Sequence, residues 1–183
     1  DMRPALVFAE HIVGDLKRLE PAAWVFWQAV EHISTRSGST GSNWGLIKMD
    51  LTAPADAKHP IEITAKYWAM LDTRVGCRGS PMANFSRYIR PGMRLIRVDD
   101  EDSVGALTAD GGEFVLVHVN GGLSPRTLDL ALPGRWRVET IVTDARRKAE
   151  SIANQCQNRS ATAPPRSITT VRLVRLSPQA KAC

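Results

Sequence analysis

Cysteine is scarce in this 183-residue chain, and the three present, Cys77, Cys156 and Cys183, have neither CxxC spacing nor a histidine at metal-ligand spacing. No metal site and no cofactor are therefore expected. No run approaches the ~20 apolar residues that a membrane-spanning helix needs, so no membrane partner is expected either. The net charge of +5 comes from Arg and Lys scattered along the chain, with one short cluster at Arg146, Arg147 and Lys148. Without a focused basic stripe or a recognition motif, nucleic acid is not an expected partner. GxSxG is absent, and no Ser, His and Asp cluster replaces it, which leaves triad hydrolysis unsupported. The chain opens at Asp1, with no initiator Met and no signal segment, which reads as a processed or truncated start.

Hydrophobic residues make up 43% of the chain, enough for a packed core in one domain or one domain and part of another. Residues 4–19, PALVFAEHIVGDLKRL, place Leu6, Ala9, Ile12, Val13, Leu16 and Leu19 at helical spacing. Asp1 or a neighbour can cap this helix, Pro4 suits its first turn, and Pro21 closes it. Residues 22–30, AAWVFWQAV, form a near-continuous apolar run of strand length, the pattern of a strand buried on both faces. Helix, turn and buried strand make half of a β/α unit.

A Ser/Gly-rich stretch, EHISTRSGSTGSNWGLI, leaves the C-terminal end of that strand, the end at which α/β folds bind ligands. Its GSTGSNWG run lacks both the GxxxxGK[ST] and the GxGxxG spacing, so it is not a phosphate cradle. Trp24, Trp27 and Trp44 gather around it with the polar Gln28, Glu31, His32 and Asn43. Aromatic faces beside hydrogen-bonding amides suit sugar rings, whose CH faces stack while their hydroxyls pair. Core packing is the stronger reading for Trp24, whereas for Trp27 core and site are evenly matched.

Residues 61–70, IEITAKYWAM, read as a helix with Pro60 at its first turn; LDTRVGCRGSPMA and then NFSRYIRPG follow. Pro-Gly at 91–92 ends the helical part, since proline cannot continue a helix and glycine tolerates the turn. Thereafter strand-like runs recur between Gly/Pro turns: 93–99, 103–109, 113–120, 126–132, 136–145 and 167–176. Such spacing indicates an antiparallel sandwich. Alternation in RTLDLAL points Leu128, Leu130 and Leu132 inward and Asp129 outward. EFVLVHVN is apolar on both faces and belongs in the sheet centre, with His118 a core histidine rather than a ligand. Two sequons, at Asn84 and Asn158, permit an extracellular home, in which Cys156 and Cys183 can pair.

WVFWQAVEH, SNWGLI, KYWAM and FSRYIRPG, followed by a sandwich ending PPRSITTVRL, together resemble the C-terminal portion of glycoside hydrolase family 30, with most likeness to its endo-β-1,6-galactanase branch. The resemblance spans nearly the whole chain. It implies a fold of α/β plus all-β class, the last β/α elements of a (β/α)8 barrel followed by an antiparallel β-sandwich. Residues 1–92 would be the barrel remnant and 93–183 the sandwich. Trp27 would line the subsite of the scissile sugar, with Gln28 and Asn43 near the mouth and Trp44 and Glu31 beside them. The family's retaining mechanism uses two glutamates ~5 to 5.5 Å apart. Both would fall before Asp1, and neither Glu31 nor Glu10 and Glu20 replaces them. The expected partners are a polysaccharide or oligosaccharide and the missing N-terminal barrel portion of the same protein, and the expected setting is extracellular. Residues 71–83 depart from the family as an insertion. The competing reading is a non-catalytic sugar-binding or structural module.

Overall fold

The computed structural model describes residues 2–34, 44–58, 60–64, 83–130, 132–156 and 160–177. Helix α1, Arg3–Leu19, forms where the apolar spacing predicts it, with proline in its first turn and Lys17 and Arg18 in its last. Ala5, Leu6, Ala9, Ile12 and Val13 are buried. Leu19, placed in the same stripe by its spacing, is instead 71% exposed, because the helix ends there and the chain turns away.

Three short strands follow: β1, Val30–His32, β2, Ile47–Met49, and β3, Ile61–Ile63. β1 runs parallel to β2, pairing Val30 with Ile47 and His32 with Met49. β2 runs antiparallel to β3, pairing Ile47 with Ile63. Two sequence expectations change here. Residues 61–63 are strand rather than the start of a helix: two β-branched isoleucines flank Glu62, and pairing with β2 overrides the helical reading. Residues 65–70 lie outside the described residues. The 22–30 run is not a strand buried on both faces, since regular pairing begins only at Val30, and Val25 and Trp27 are 86% and 75% exposed.

A single turn of helix, α2 (Ala83–Ser86), leads through Pro91 to Gly92, whose φ of 91° is the left-handed conformation that glycine tolerates. The sandwich strands then succeed one another as β4, Arg94–Ile96, β5, Ser103–Leu107, β6, Glu113–Asn120, β7, Arg126–Asp129, β8, Trp136–Thr143, β9, Glu150–Cys156, β10, Ser160–Ala163, and β11, Ser167–Arg175. Six of them form an antiparallel sheet in the order β4-β5-β6-β11-β8-β9. β6 is central, as its two apolar faces require. β7 and β10 make a second, two-stranded antiparallel sheet.

Alternation along β6 builds two cores. Val115, Val117 and Val119, with Val104 and Ile168, pack against Leu6, Ala9, Ile12 and Val13 of α1 and against Phe85 of α2. Phe114 and Leu116, on the opposite face, join Val138, Val171 and Leu173 beneath Leu128, Leu130, Ala161 and Ala163. Each fully buried aliphatic side chain contributes about 1.5–3 kcal/mol. The order is therefore helix, six-stranded sheet, two-stranded sheet, and the helix shares its core with the sandwich. Leu128 and Leu130 point inward and Asp129 outward as the alternation predicts, while Leu132 is half-buried.

Asn84 corrects one sequon. Its side chain is 0% exposed; the amide donates to Thr143 Oγ1 at 2.8 Å, and its Oδ1 accepts from the Thr170 hydroxyl at 3.0 Å. A glycan has no room there. The second sequon, Asn158 with Arg159, and the cysteines Cys77 and Cys183 lie outside the described residues.

Candidate functional site

The extended run 22–29 has two unlike faces. Trp24 and Phe26 stack with ring centroids 6.3 Å apart, and Phe8 of α1 meets both edge-on at 5.8 and 5.1 Å. Trp24 Nε1 also donates to Asp15 Oδ2 at 3.0 Å. Trp24 is thus a packing residue, in line with the stronger of its two sequence readings. Val25 and Trp27 occupy the other face and stand in solvent. The Trp27–Gln28 peptide is cis.

Beyond Trp27 the chain joins the 44–49 segment. Leu46 N–H donates to Gln28 O at 3.2 Å and Ile47 N–H to Ala29 O at 3.0 Å, leading into the β1–β2 pairing. Trp44, just ahead of that pairing on the second segment, is 55% exposed. Both tryptophans precede the regular pairing in their own segments, with half-buried Gln28 between Trp27 and the first strand. This revises the expectation of a site at a strand's C-terminal end, because the regular strand begins after the tryptophans rather than ending at them. The C-terminal end of the same pair carries a polar cluster instead. His32 Nε2 lies 3.1 Å from Asp50 Oδ1, and the Thr52 hydroxyl and backbone N–H hold Asp50 down to about 2.

Glu31 behaves differently from its neighbours. It is 5% exposed, its Oε2 accepts from Gly45 N–H at 2.7 Å, and the same oxygen pairs with Lys48, itself 1% exposed. A carboxylate so enclosed is not presented to solvent, unlike the exposed substrate contact that the sequence reading expects of it. Lys48, Gly45 and Thr64 were not singled out by the sequence. The only signal was a lysine between Ile47 and Met49 in a strand-like GLIKM. Asn43 lies outside the described residues.

His118 is a core residue. It is 0% exposed, with Nδ1 2.9 Å from Ser103 Oγ and 3.1 Å from Asp100 Oδ2. Burial pushes its pKa below the ordinary value, against the opposing pull of Asp100. Burial also raises Asp100, but the Ser103 hydroxyl, the Asp102 N–H, His118 and Arg126 outweigh it and hold that carboxyl below the usual range. Among the described residues no group of three or more His, Cys, Asp or Glu side chains is arranged to hold a metal, and no helix is long and apolar enough to cross a membrane. Two clefts of about 560 and 520 Å³ flank the segment 96–100, away from both tryptophans.

No protein-family model matches the chain. An endo-β-1,6-galactanase from Hypocrea rufa is 27% identical over 142 residues, covering 72% of this chain and 24% of its own length. The chain thus spans about a quarter of the curated relative it matches. Among solved structures, the catalytic domain of GH30 xylanase C from Talaromyces cellulolyticus aligns with a TM-score of 0.64 at 19% identity, covering 93% of this chain and 35% of that one. A GH30 subfamily 8 xylanase from Clostridium acetobutylicum aligns with a TM-score of 0.60 at 17% identity, over 95% of this chain and 39% of that one. A conserved exported protein from Bacteroides fragilis gives 0.63 at 19% identity, over 93% and 33%. In fold and in sequence, this chain is similar to the C-terminal region of GH30-like glycoside hydrolases.

Proposed function

We propose that this chain is the C-terminal part of a secreted retaining glycoside hydrolase acting on a β-linked galactan or a similar polysaccharide. Residues 1–92 would end its (β/α)8 barrel and residues 93–183 would form its sandwich. The observation that carries the reading is the two-faced run 22–29: Trp24 and Phe26 pack on α1, while Trp27 stands in solvent, followed by half-buried Gln28. That is how a terminal barrel strand is used, one face on its helix and the other toward the substrate. Asn43, directly before Trp44, belongs to the same mouth in this reading. Glu31 belongs to the site as the support of that mouth.

In this reading the two carboxylates of the double displacement belong to the remainder of the whole protein, since Glu31 is enclosed by Lys48 and Gly45. The substrate class follows from the galactanase relative, and the extracellular setting from the polymer, which must be met outside the cell. In the experiment the 183-residue chain is titrated with a β-1,6-galacto-oligosaccharide and assayed for hydrolysis. Binding without turnover, lost in Trp27→Ala at unchanged Tm, is the expected result. Turnover by the chain alone, or binding indifferent to Trp27, overturns the reading.

A second reading has its own support. Because α1 shares its core with the sandwich, the chain carries a self-sufficient hydrophobic centre, as a non-catalytic sugar-binding module would. Two glutamates encoded upstream in the same frame favour the hydrolase. A start or signal sequence directly upstream favours the module.

A further inference from the structure

We propose that Ser34 is an acyl-accepting nucleophile, with His32 as its general base and Asp50 as the residue that orients that base, and that the chain thereby hydrolyses short acyl esters. The inference is independent of the sugar-binding reading of Trp27.

The three side chains meet at the C-terminal end of the parallel β1–β2 pair, the end at which parallel strands present ligand-binding groups. His32 ends β1, Ser34 follows two residues later, and Asp50 comes directly after β2. Ser34 N–H donates to His32 Nδ1 at 3.1 Å. A backbone N–H only donates, so Nδ1 is the unprotonated nitrogen of the neutral ring, and the Ser34 hydroxyl, 2.7 Å away, donates to it as well. The ring proton is then on Nε2, which donates to Asp50 Oδ1 at 3.1 Å. That carboxyl accepts from the Thr52 hydroxyl at 2.7 Å and from Thr52 N–H at 2.9 Å, which hold its pKa down to about 2 and keep it charged at neutral pH. Hydroxyl, base and carboxylate stand in the order and tautomer that an activated serine requires. This corrects the sequence expectation that no Ser, His and Asp cluster exists. Asp50 lies 18 positions beyond His32 and reaches it only through the strand pairing, so the array leaves no local signature.

Ser34 is exposed, and the His32 and Asp50 side chains are half-buried behind it, so a carbonyl reaches the hydroxyl without any opening of the fold. Ser34 Oγ bonds to the acyl carbon while its proton passes to His32 Nδ1, and the charge that appears on the ring faces Asp50. Once protonated, Nδ1 no longer accepts the Ser34 N–H, which is released to the carbonyl oxygen as that atom becomes an oxyanion. The Nδ1 proton then goes to the departing alkoxide as the ester bond breaks. Water attacks the acyl-serine by the same route, returning a proton to Oγ and freeing the acid. Ester and water give acid and alcohol, with no further reactant. An open site encloses little of its substrate and screens developing charge. It therefore suits a small acyl group, such as acetyl, carried on a larger molecule better than a long acyl chain.

The test treats the 183-residue chain with a fluorophosphonate and maps the adduct by peptide mass spectrometry, with p-nitrophenyl acetate as the turnover probe. An adduct at Ser34 is expected, with ester turnover that Ser34→Ala abolishes. Labelling should slow about a hundredfold in His32→Ala at unchanged Tm. Asp50→Asn should slow it about tenfold, and Asp50→Glu, which keeps the charge, should recover part of that loss, as a purely structural role would not. The unaltered chain is decisive without any variant, since the absence of an adduct at Ser34 overturns the proposal outright. An adduct that forms at the same rate in His32→Ala marks an unactivated hydroxyl and overturns it too. Ester turnover that survives Ser34→Ala but not His32→Ala assigns the nucleophile to the imidazole and overturns the role of Ser34. Labelling of Asp50→Asn at the unaltered rate overturns the positioning role of Asp50.

Discussion

Around the β6–β11 ladder, Val115, Val117, Ile168 and Val171 are entirely out of solvent, whereas Val25, Trp27, Trp44, Leu51, Ile61 and Ile63 range from 44% to 86% exposed. Both regions are rich in apolar residues, so composition does not separate them. What separates them is the number of neighbours on each face. The central strands β6 and β11 have α1 packed on one face, the two-stranded sheet on the other and a paired strand on either side; β1–β3 form one small sheet of three-residue strands. Apolar surface left in water at this scale marks a binding face or an interface. The well-covered region supplies stability, and the uncovered one holds the residues on which the proposed sugar-binding reading rests.

Native-state hydrogen exchange gives the largest expected contrast. Amides of β6, β8 and β11 should exchange only through global unfolding, roughly a thousandfold or more slower than those of β1–β3, which open locally. Helix α1 should be protected with the sandwich, because Leu6, Ala9, Ile12 and Val13 belong to its core. Uniform protection from α1 through β3 would erase the distinction between the two regions.

Substitutions come next. Ile168→Ala should lower unfolding free energy by about 2–5 kcal/mol, since a fully buried side chain leaves a cavity. Val25→Ser should change it by no more than about 0.5 kcal/mol. Urea denaturation of both variants measures the difference, and a large loss at Val25 would mean that its face is covered in solution.

Asn84→Ala should fall between the two. It removes two buried hydrogen bonds, while Thr170 keeps the residue-84 carbonyl and Thr143 keeps the Ala149 N–H, so the loss should be about 1–3 kcal/mol in all. The same burial predicts that protein made in a glycosylating secretory host carries no sugar at Asn84. Peptide mapping of the folded fraction checks it.

The smallest effect is electrostatic. His118 has its folded pKa lowered by burial, so the fold favours the neutral ring. Its contribution is complete above the ordinary histidine pKa of about 6.5 and declines as the pH falls below that value toward the folded pKa, because there the unfolded chain takes up the proton first. Asp100, also lowered, adds a loss of the same sign at more acidic pH, as protonation ends its links to Ser103 and Arg126. The Tm should therefore fall between pH 7.5 and pH 5.5, and His118→Gln should flatten that part of the profile. An unchanged slope in the variant would assign the decline to other groups.

The sandwich was the more legible half. EFVLVHVN matches β6 end to end, because an unbroken apolar run bounded by Asp-Gly-Gly and Gly-Gly turns has one reasonable reading. β9 and β10 went unrecognised inside a polar stretch. In β10 the inward residues are Ala161 and Ala163, too small to register as an apolar stripe, and pairing with β7 is what makes the segment a strand. β3 reads as helix from its sequence for a related reason: three residues that fit either period take the conformation their neighbour offers. At the candidate site, core packing for Trp24 agrees with its stronger sequence reading, whereas the exposure of Trp27 runs against a strand buried on both faces. The enclosure of Glu31 does not, because it depends on a lysine that lies 17 positions further along the chain.

The sequence by itself determined what periodicity and turn chemistry encode locally: an amphipathic first helix, a Pro-Gly stop at 91–92, a run of alternating strands after it, and aromatic residues crowded before residue 45. It also carried the likeness to the glycoside hydrolases, which resides in the order of short motifs. Tertiary structure alone decided which apolar residues would be covered, that α1 would dock on the sandwich, that Asn84 would be enclosed, and that Glu31 would face Lys48 and Gly45 instead of solvent. Local propensity is set by a residue and its near neighbours on the chain. Burial and charge pairing are set by whatever the fold brings to the other side, and for Glu31 and Asn84 that partner is distant in sequence.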